Sequence, residues 1–191
     1  AILCEVDEPD RLDRVHANLV PAIEMGLLQP LAGGVRDESA TCAGATWYRF
    51  VHDRVQQAAY ALIAEADRST VHVRVARLLA RRLRPEERER RIFEIVEHFV
   101  LGVTQVRDDE EHLLVAELCL AAGRRARQTM ARETAQRFLR EGVAMLPGRA
   151  WDQHYDLTRD LVIAAVEAEY LNGEFDAAQR LTDTILTRAR D

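Results

Sequence analysis

The chain contains no lysine; all 26 of its basic residues are arginines. A phosphate-cradling G-x-x-x-x-G-K-[ST] loop cannot be built without that lysine, so the sequence carries none. The arginines are spread along the chain, which points to a coding bias rather than to a site. Cysteine is scarce, and Cys4, Cys42 and Cys119 lie far apart with no C-x-x-C spacing. That usage fits reduced thiols in a cytosolic protein. Cys119 sits in an apolar helical run and is expected in the core. Ser39 and Ser69 are the only serines, and neither stands in a G-x-S-x-G elbow, so nucleophilic hydrolysis has no support. The histidines, at 16, 52, 72, 98, 112 and 154, show neither H-x-x-x-H nor H-E-x-x-H spacing, and no zinc site is expected. His98, beside Glu97 on an apolar helix, reads as a packed histidine. No apolar run is long enough to span a bilayer and no signal peptide is visible, so the expectation is a soluble, cytoplasmic protein with no membrane partner.

Aromatic residues make up only 6% of the chain, whereas Ala, Leu and Arg dominate, a mixture that favours helices. Trp47 and Trp151 are expected as core anchors. A hydrophobic content of 48% over 191 residues suffices for one large core or two small ones. The formal net charge of −6 argues against a nucleic-acid footprint. The densest charged stretch, Arg81 to Arg91, mixes both signs and reads as a solvated helix–helix junction. The chain starts at Ala1 without methionine and stops inside a helical pattern, as expected of a piece of something longer.

Residues 9–26 carry apolar side chains at helical spacing and are closed by Gly26. Leu27 to Leu31 and Trp47 to Val51 are strand candidates, separated by a small, polar, glycine-bearing loop at 32–46. A second helix is expected to run to about Ala64. This order matches part of a winged-helix domain, with 32–46 as the wing; an isolated hairpin on a helical protein is the alternative. DNA binding through the second helix is disfavoured, because only Arg54, Gln56 and Gln57 would suit a recognition face. From Asp67 onward the pattern is helical. One apolar stripe ends at Arg84-Pro85 and another is closed by Gly102. After a loop at Thr104–Asp109, helices are expected at about 110–123, 130–146, 152–172 and 174–190, divided by Gly123, Pro147-Gly148 and Asn172-Gly173.

The last four helices repeat faintly at an offset of 43 residues. Ala135-Gln136-Arg137 matches Ala178-Gln179-Arg180, and Leu114/Leu157, Leu118/Leu161 and Ala122/Ala165 fall in the same register. Repeats of that length are the mark of an α-solenoid. Tyr170, Gly173, Phe175 and Ala178 sit where a tetratricopeptide-like hairpin wants an aromatic, a tight turn and small packing residues. The fold class expected is therefore mainly α, with a winged-helix-like unit at 1–66 and a helical-repeat arm of roughly six helices at 67–191.

The seam between strand and helix, Tyr48-Arg49-Phe50-Val51-His52-Asp53, holds the chain's most suggestive pair. Asp53 suits a helix start, where its carboxylate can accept free backbone N–H groups. His52 would then sit at the positive helix end, where a phosphate is also favoured. The plain alternative is a helix cap beside a packed histidine.

Taken in order, several segments resemble the large bacterial signal-transduction ATPases of the STAND class. They are Gly26-Leu27-Leu28, Phe50-Val51-His52-Asp53 with Ala58-Ala59-Tyr60, the run His72 to Leu79, Glu97-His98-Phe99, Ala122 to Ala126 and Glu169 to Phe175. In that family an AAA-like ATPase module precedes a winged helix and a tetratricopeptide-like arm, often fused to a kinase, cyclase or transcription-factor output. The resemblance implies that His52 and Asp53 match the family's nucleotide-sensing Met-His-Asp, with Val51 in place of the methionine. It also implies ATP or ADP in the parent protein and no cofactor in this fragment. The partners implied are the ATPase domain of the same parent chain and a protein or small-molecule effector on the arm. The fragment itself would not be an enzyme. Its function would be regulatory, coupling effector binding to a nucleotide switch outside this chain; a stand-alone helical-repeat adaptor is the alternative.

Overall fold

A computed structural model describes residues 9–30 and 48–188. The expected wing at 32–46, Trp47, Cys4 and Cys42 lie outside the described residues. Those described are mainly helical. They fall into two compact units, one reaching Arg68 and including Arg77–Arg82, the other comprising Ser69–Ala76 and the residues from Leu83.

In the first unit, helix α1 (Pro9–Glu24) leads into strand β1 (Leu28–Pro30), which pairs antiparallel with β2 (Tyr48–Phe50). The register sets Leu28 against Phe50, Gln29 against Arg49 and Pro30 against Tyr48. Because side chains alternate along a strand, Leu28 and Tyr48 share one face and are buried, while Gln29 and Arg49 hydrogen-bond on the other. The turn out of α1 takes Gly26 through φ +68°, with Leu27 N–H donating to Ala22 O and Gly26 N–H to Ile23 O. These two bonds make a Schellman cap, whose left-handed position glycine fills without a Cβ penalty. Helix α2 (Asp53–Ala61) follows β2 and has no buried residue. It ends earlier than the expected Ala64, and the chain turns at once into α3 (Glu65–Arg82).

The second unit contains the 69–76 segment of α3, then α4 (Pro85–Arg90), α5 (Ile92–Leu101), a 3-10 turn at Val103–Gln105, and α6 (Asp109–Gln128). It continues through α7 (Arg132–Met145), α8 (Ala150–Gln153), α9 (Tyr155–Leu171) and α10 (Phe175–Arg188). The apolar stripe of α5, Ile92, Ile95, Val96 and Phe99, is buried at helical spacing. Helix α6 is buried on most sides and packs against α5, α7 and α9, while α9 packs against α7 and α10. Each large apolar side chain sealed here contributes about 1.5–3 kcal/mol of burial. Asp108 caps α6 by accepting from Glu111 N–H at 2.7 Å.

Gly123 does not end a helix, contrary to the sequence reading. It lies inside α6, where a Cβ would come within 2.4 Å of Leu139 Cγ on α7. Glycine is there for close approach, not for a turn. Gly142 serves α7 likewise, since a Cβ would stand 2.8 Å from Cys119 Cβ and 3.1 Å from Leu161 Cδ1. Among the described residues, the stretch from 67 onward also holds more helices than the roughly six expected, because α4 and α8 are short separate turns. Trp151 is half-buried and packs at 5.9 Å on Tyr155.

The α6–α7 and α9–α10 turns are built alike. Ala131 N–H donates to Ala126 O and Met130 N–H to Arg127 O; 43 residues on, Glu174 N–H donates to Glu169 O and Gly173 N–H to Tyr170 O. Met130 (φ +61°) and Gly173 (φ +81°) hold the same left-handed position. Thr129 and Asn172, at the matching place before them, each return a side-chain bond to the preceding helical turn.

Candidate functional site

The residues singled out at the seam, His52 and Asp53, lie where β2 passes into α2. Val51, the residue after β2, leads to His52, whose extended backbone (φ −133°, ψ 141°) makes it the N-cap of α2. Its carbonyl accepts from Val55 and Gln56 N–H. The side chain of His52 makes no capping bond, and Asp53 stands inside the first turn instead of at the cap. The capping role expected of Asp53 is thus corrected: its carboxylate acts through the helix dipole. Both side chains are exposed, at a helix N-terminus that is open on the outside. An anion reaching it would meet backbone N–H groups and one imidazole.

A second candidate lies wholly within the second unit. Arg124, Arg127 and Gln128 recur at helical spacing on α6, and Asp160, Ile163, Ala164 and Glu167 do so on α9. Between them runs an open groove of about 480 Å³. Arg124 donates to Asp160 at 2.9 Å, and Arg127 pairs with Glu167. Asp160 also accepts from Arg159 at 2.9 Å. The hydrogen bonds from Arg159, and then from Arg124, hold its carboxyl below the usual range. Ile163 is exposed in this groove, so its lining combines an apolar side chain with paired charges. Exposed pairs of this kind contribute little to stability, and their charges remain available to a ligand.

On the side of α9 that meets α7, Glu169 is 2% exposed and accepts from Gln136 at 2.8 Å and from Arg140 through both of its oxygens. Burial pushes this carboxyl up, but the bonds from Arg140 and Gln136 and the arginine charge outweigh it and leave the group below its ordinary value. Sequence reading missed this tie, because its members are 33 and 29 residues apart and lie on different helices.

Cys119 is fully buried, and burial first, then Glu141, push its thiol up to about 12. It is not an available nucleophile. Among the described residues no group of three His, Cys, Asp or Glu side chains is placed to hold a metal, and no helix is long and apolar enough to cross a membrane.

No known family profile matches the chain, and no solved structure matches it. Over 167 residues, 75% of this chain, it is 24% identical to the hybrid signal transduction histidine kinase G of Dictyostelium discoideum. It spans 5% of that protein's length.

Proposed function

We propose that this chain is a regulatory segment of a larger signalling protein of the STAND type. In this reading residues 1–66 form a winged-helix-like unit and residues 67–191 a tetratricopeptide-like arm. An effector, protein or small molecule, binds the arm, and its binding biases an ATP/ADP switch located outside this chain. The duplicated hairpin carries the proposal. Two turns with the same backbone bonds, 43 residues apart, are the unit from which stacked helical arms grow. The similarity to a signal transduction histidine kinase supports a signalling role.

His52 is the residue proposed to sense nucleotide. Exposed at the start of α2, it can offer a phosphate one hydrogen bond, charge-assisted when protonated. The test uses the complete polypeptide that carries this chain, with ADP retention and signalling output measured for His52→Ala and Asp53→Ala. His52→Ala should release ADP about tenfold faster, the size of one such bond, with melting unchanged. Unaltered ADP release would overturn the sensor role.

The groove between α6 and α9 favours a second reading, a helical-repeat adaptor that binds a peptide without any nucleotide. The two readings part on one measurement. If Ile163→Arg abolishes effector binding while nucleotide has no influence on affinity, the adaptor stands and the switch falls.

A further inference from the structure

We propose that His72 and His98 form a proton-sensitive clamp that fastens α3 to α5 at neutral pH and loosens it on acidification. Their Nδ1 atoms stand 2.8 Å apart, with ring centroids at 5.1 Å and planes tilted by 39°. Two ring nitrogens at that distance must share a single proton, one donating and the other accepting. A neutral pair satisfies this, and so does a pair with one extra proton on an outer nitrogen. A doubly charged pair does not, since two N–H groups and two positive charges would then face each other.

The rings have little room to escape. His72 is buried and His98 half-buried. On α3, Ser69, His72 and Val73 share one face; on α5 and its cap, His98 and Gly102 share another. A Cβ at Gly102 would lie 2.7 Å from Val73 N and 2.9 Å from Ser69 O, so the two backbones touch beside the imidazoles. Separating the rings therefore means separating the helices.

Among the described residues, the two carboxylates that act on His98 are already engaged by arginines. Glu94, one turn before His98, is engaged by Arg91 at 2.7 and 2.8 Å. Glu97 is engaged by Arg137 of α7 at 2.6 and 3.1 Å. Both carboxylates draw the His98 proton affinity upward, but burial first, and the His72 ring second, hold it below the ordinary histidine value. Burial lowers His72 as well, and this ring has a further contact of its own. A free histidine takes its proton near pH ~6.5. The unfolded chain thus binds more protons than the folded one below that pH. The clamp's stabilisation is complete above it and is lost as pH falls from there through the lower folded value.

The inference is independent of any signalling role and is tested on the whole chain. Melting is recorded at pH 7.5 and pH 5.5 for the parent, for His98→Gln and for the exposed-site control His154→Gln. Glutamine keeps a hydrogen-bonding partner for His72 but cannot become a cation. The parent and the control should lose roughly 2–4 °C on acidification, the scale of one lost interaction in a chain of this length, and His98→Gln should lose much less. Nitrogen NMR titration of the unaltered protein needs no variant. It should show the two rings sharing one coupled titration with a step below the ordinary value. Equal acid losses in parent and His98→Gln, or two independent titrations near pH ~6.5, would overturn the clamp.

Discussion

The α6–α7 and α9–α10 hairpins share a turn geometry but solve their packing with different residues. In the first, Gly123 lets Leu139 press onto the α6 backbone. At the positions 43 residues on, the second has Val166 and Thr182, so bulk has moved from one helix to the other. In the first, Met130 occupies the left-handed turn position against the geometry's preference; in the second Gly173 fits it freely. Helix α7 buries Ala135, Phe138, Leu139, Gly142 and Met145, whereas α10 buries only Ala178. Two helical hairpins can thus share the backbone bonds of their turns while their side chains trade volume, strain and burial separately.

The most severe test of this comparison exchanges the volumes. Gly123→Val should overpack by about 1–3 kcal/mol, and Leu139→Thr should open a cavity costing about 2–4 kcal/mol. The double variant, which writes the second hairpin's pair into the first, should lose less than the two losses added, by at least about 0.5 kcal/mol. Denaturant titration of all three variants decides it; strict additivity would show that the two sites do not compensate.

A smaller effect is expected where the hairpins differ in polarity. Glu169 corresponds to Ala126 in the first hairpin, so Glu169→Ala removes a tie the first never had. The loss should be about 1–3 kcal/mol, toward the lower end because Arg140 is half-exposed and can rehydrate. The carboxyl is held below its ordinary value, so its contribution is present above pH ~4.3 and disappears as pH falls through the folded value. Melting curves from pH 6 down to 2 should be flatter for Glu169→Ala than for the parent.

Turn residues come next. Met130 is 75% exposed and loses few contacts on replacement. Met130→Gly should gain about 0.5 kcal/mol once the extra freedom of glycine in the unfolded chain is subtracted, and Gly173→Ala should cost about 1 kcal/mol. Opposite signs in thermal melting would confirm that one conformation is filled by a poor residue in one copy and a good one in the other. The least effect belongs to α10: Leu186, 71% exposed, should tolerate Leu186→Ser within about 0.5 kcal/mol, as calorimetry can verify.

Much of this architecture was legible because it rests on local rules. Helical periodicity marked α5, with its buried positions at the right spacing, and Gly26 announced the end of α1 through the left-handed cap. The repeat offset was visible in Ala135-Gln136-Arg137 and Ala178-Gln179-Arg180. Glycine was misleading where it served packing. Gly123 suggested a break, yet it lies inside α6 and admits α7, a demand set by residues far along the chain; Gly102 is the cap the sequence suggested and admits α3 as well. The seam at His52 was placed correctly, but which residue occupies the cap depends on where the first helical hydrogen bonds close, and that fell one position earlier than Asp53 suggested. The imidazole pair and the Glu169 tie left no spacing signal at all, since each joins different helices.

Cys119 lies where α6, α7 and α9 converge, against Gly142 and beside Leu161. A sealed thiol with so low an acidity can react with a disulfide reagent only after those helices part. Once Cys4 and Cys42 are replaced, the speed at which this one sulfur is labelled becomes an internal clock for partial opening of the α6–α7–α9 packing. It reads the free energy of a local breathing motion that whole-chain unfolding averages away.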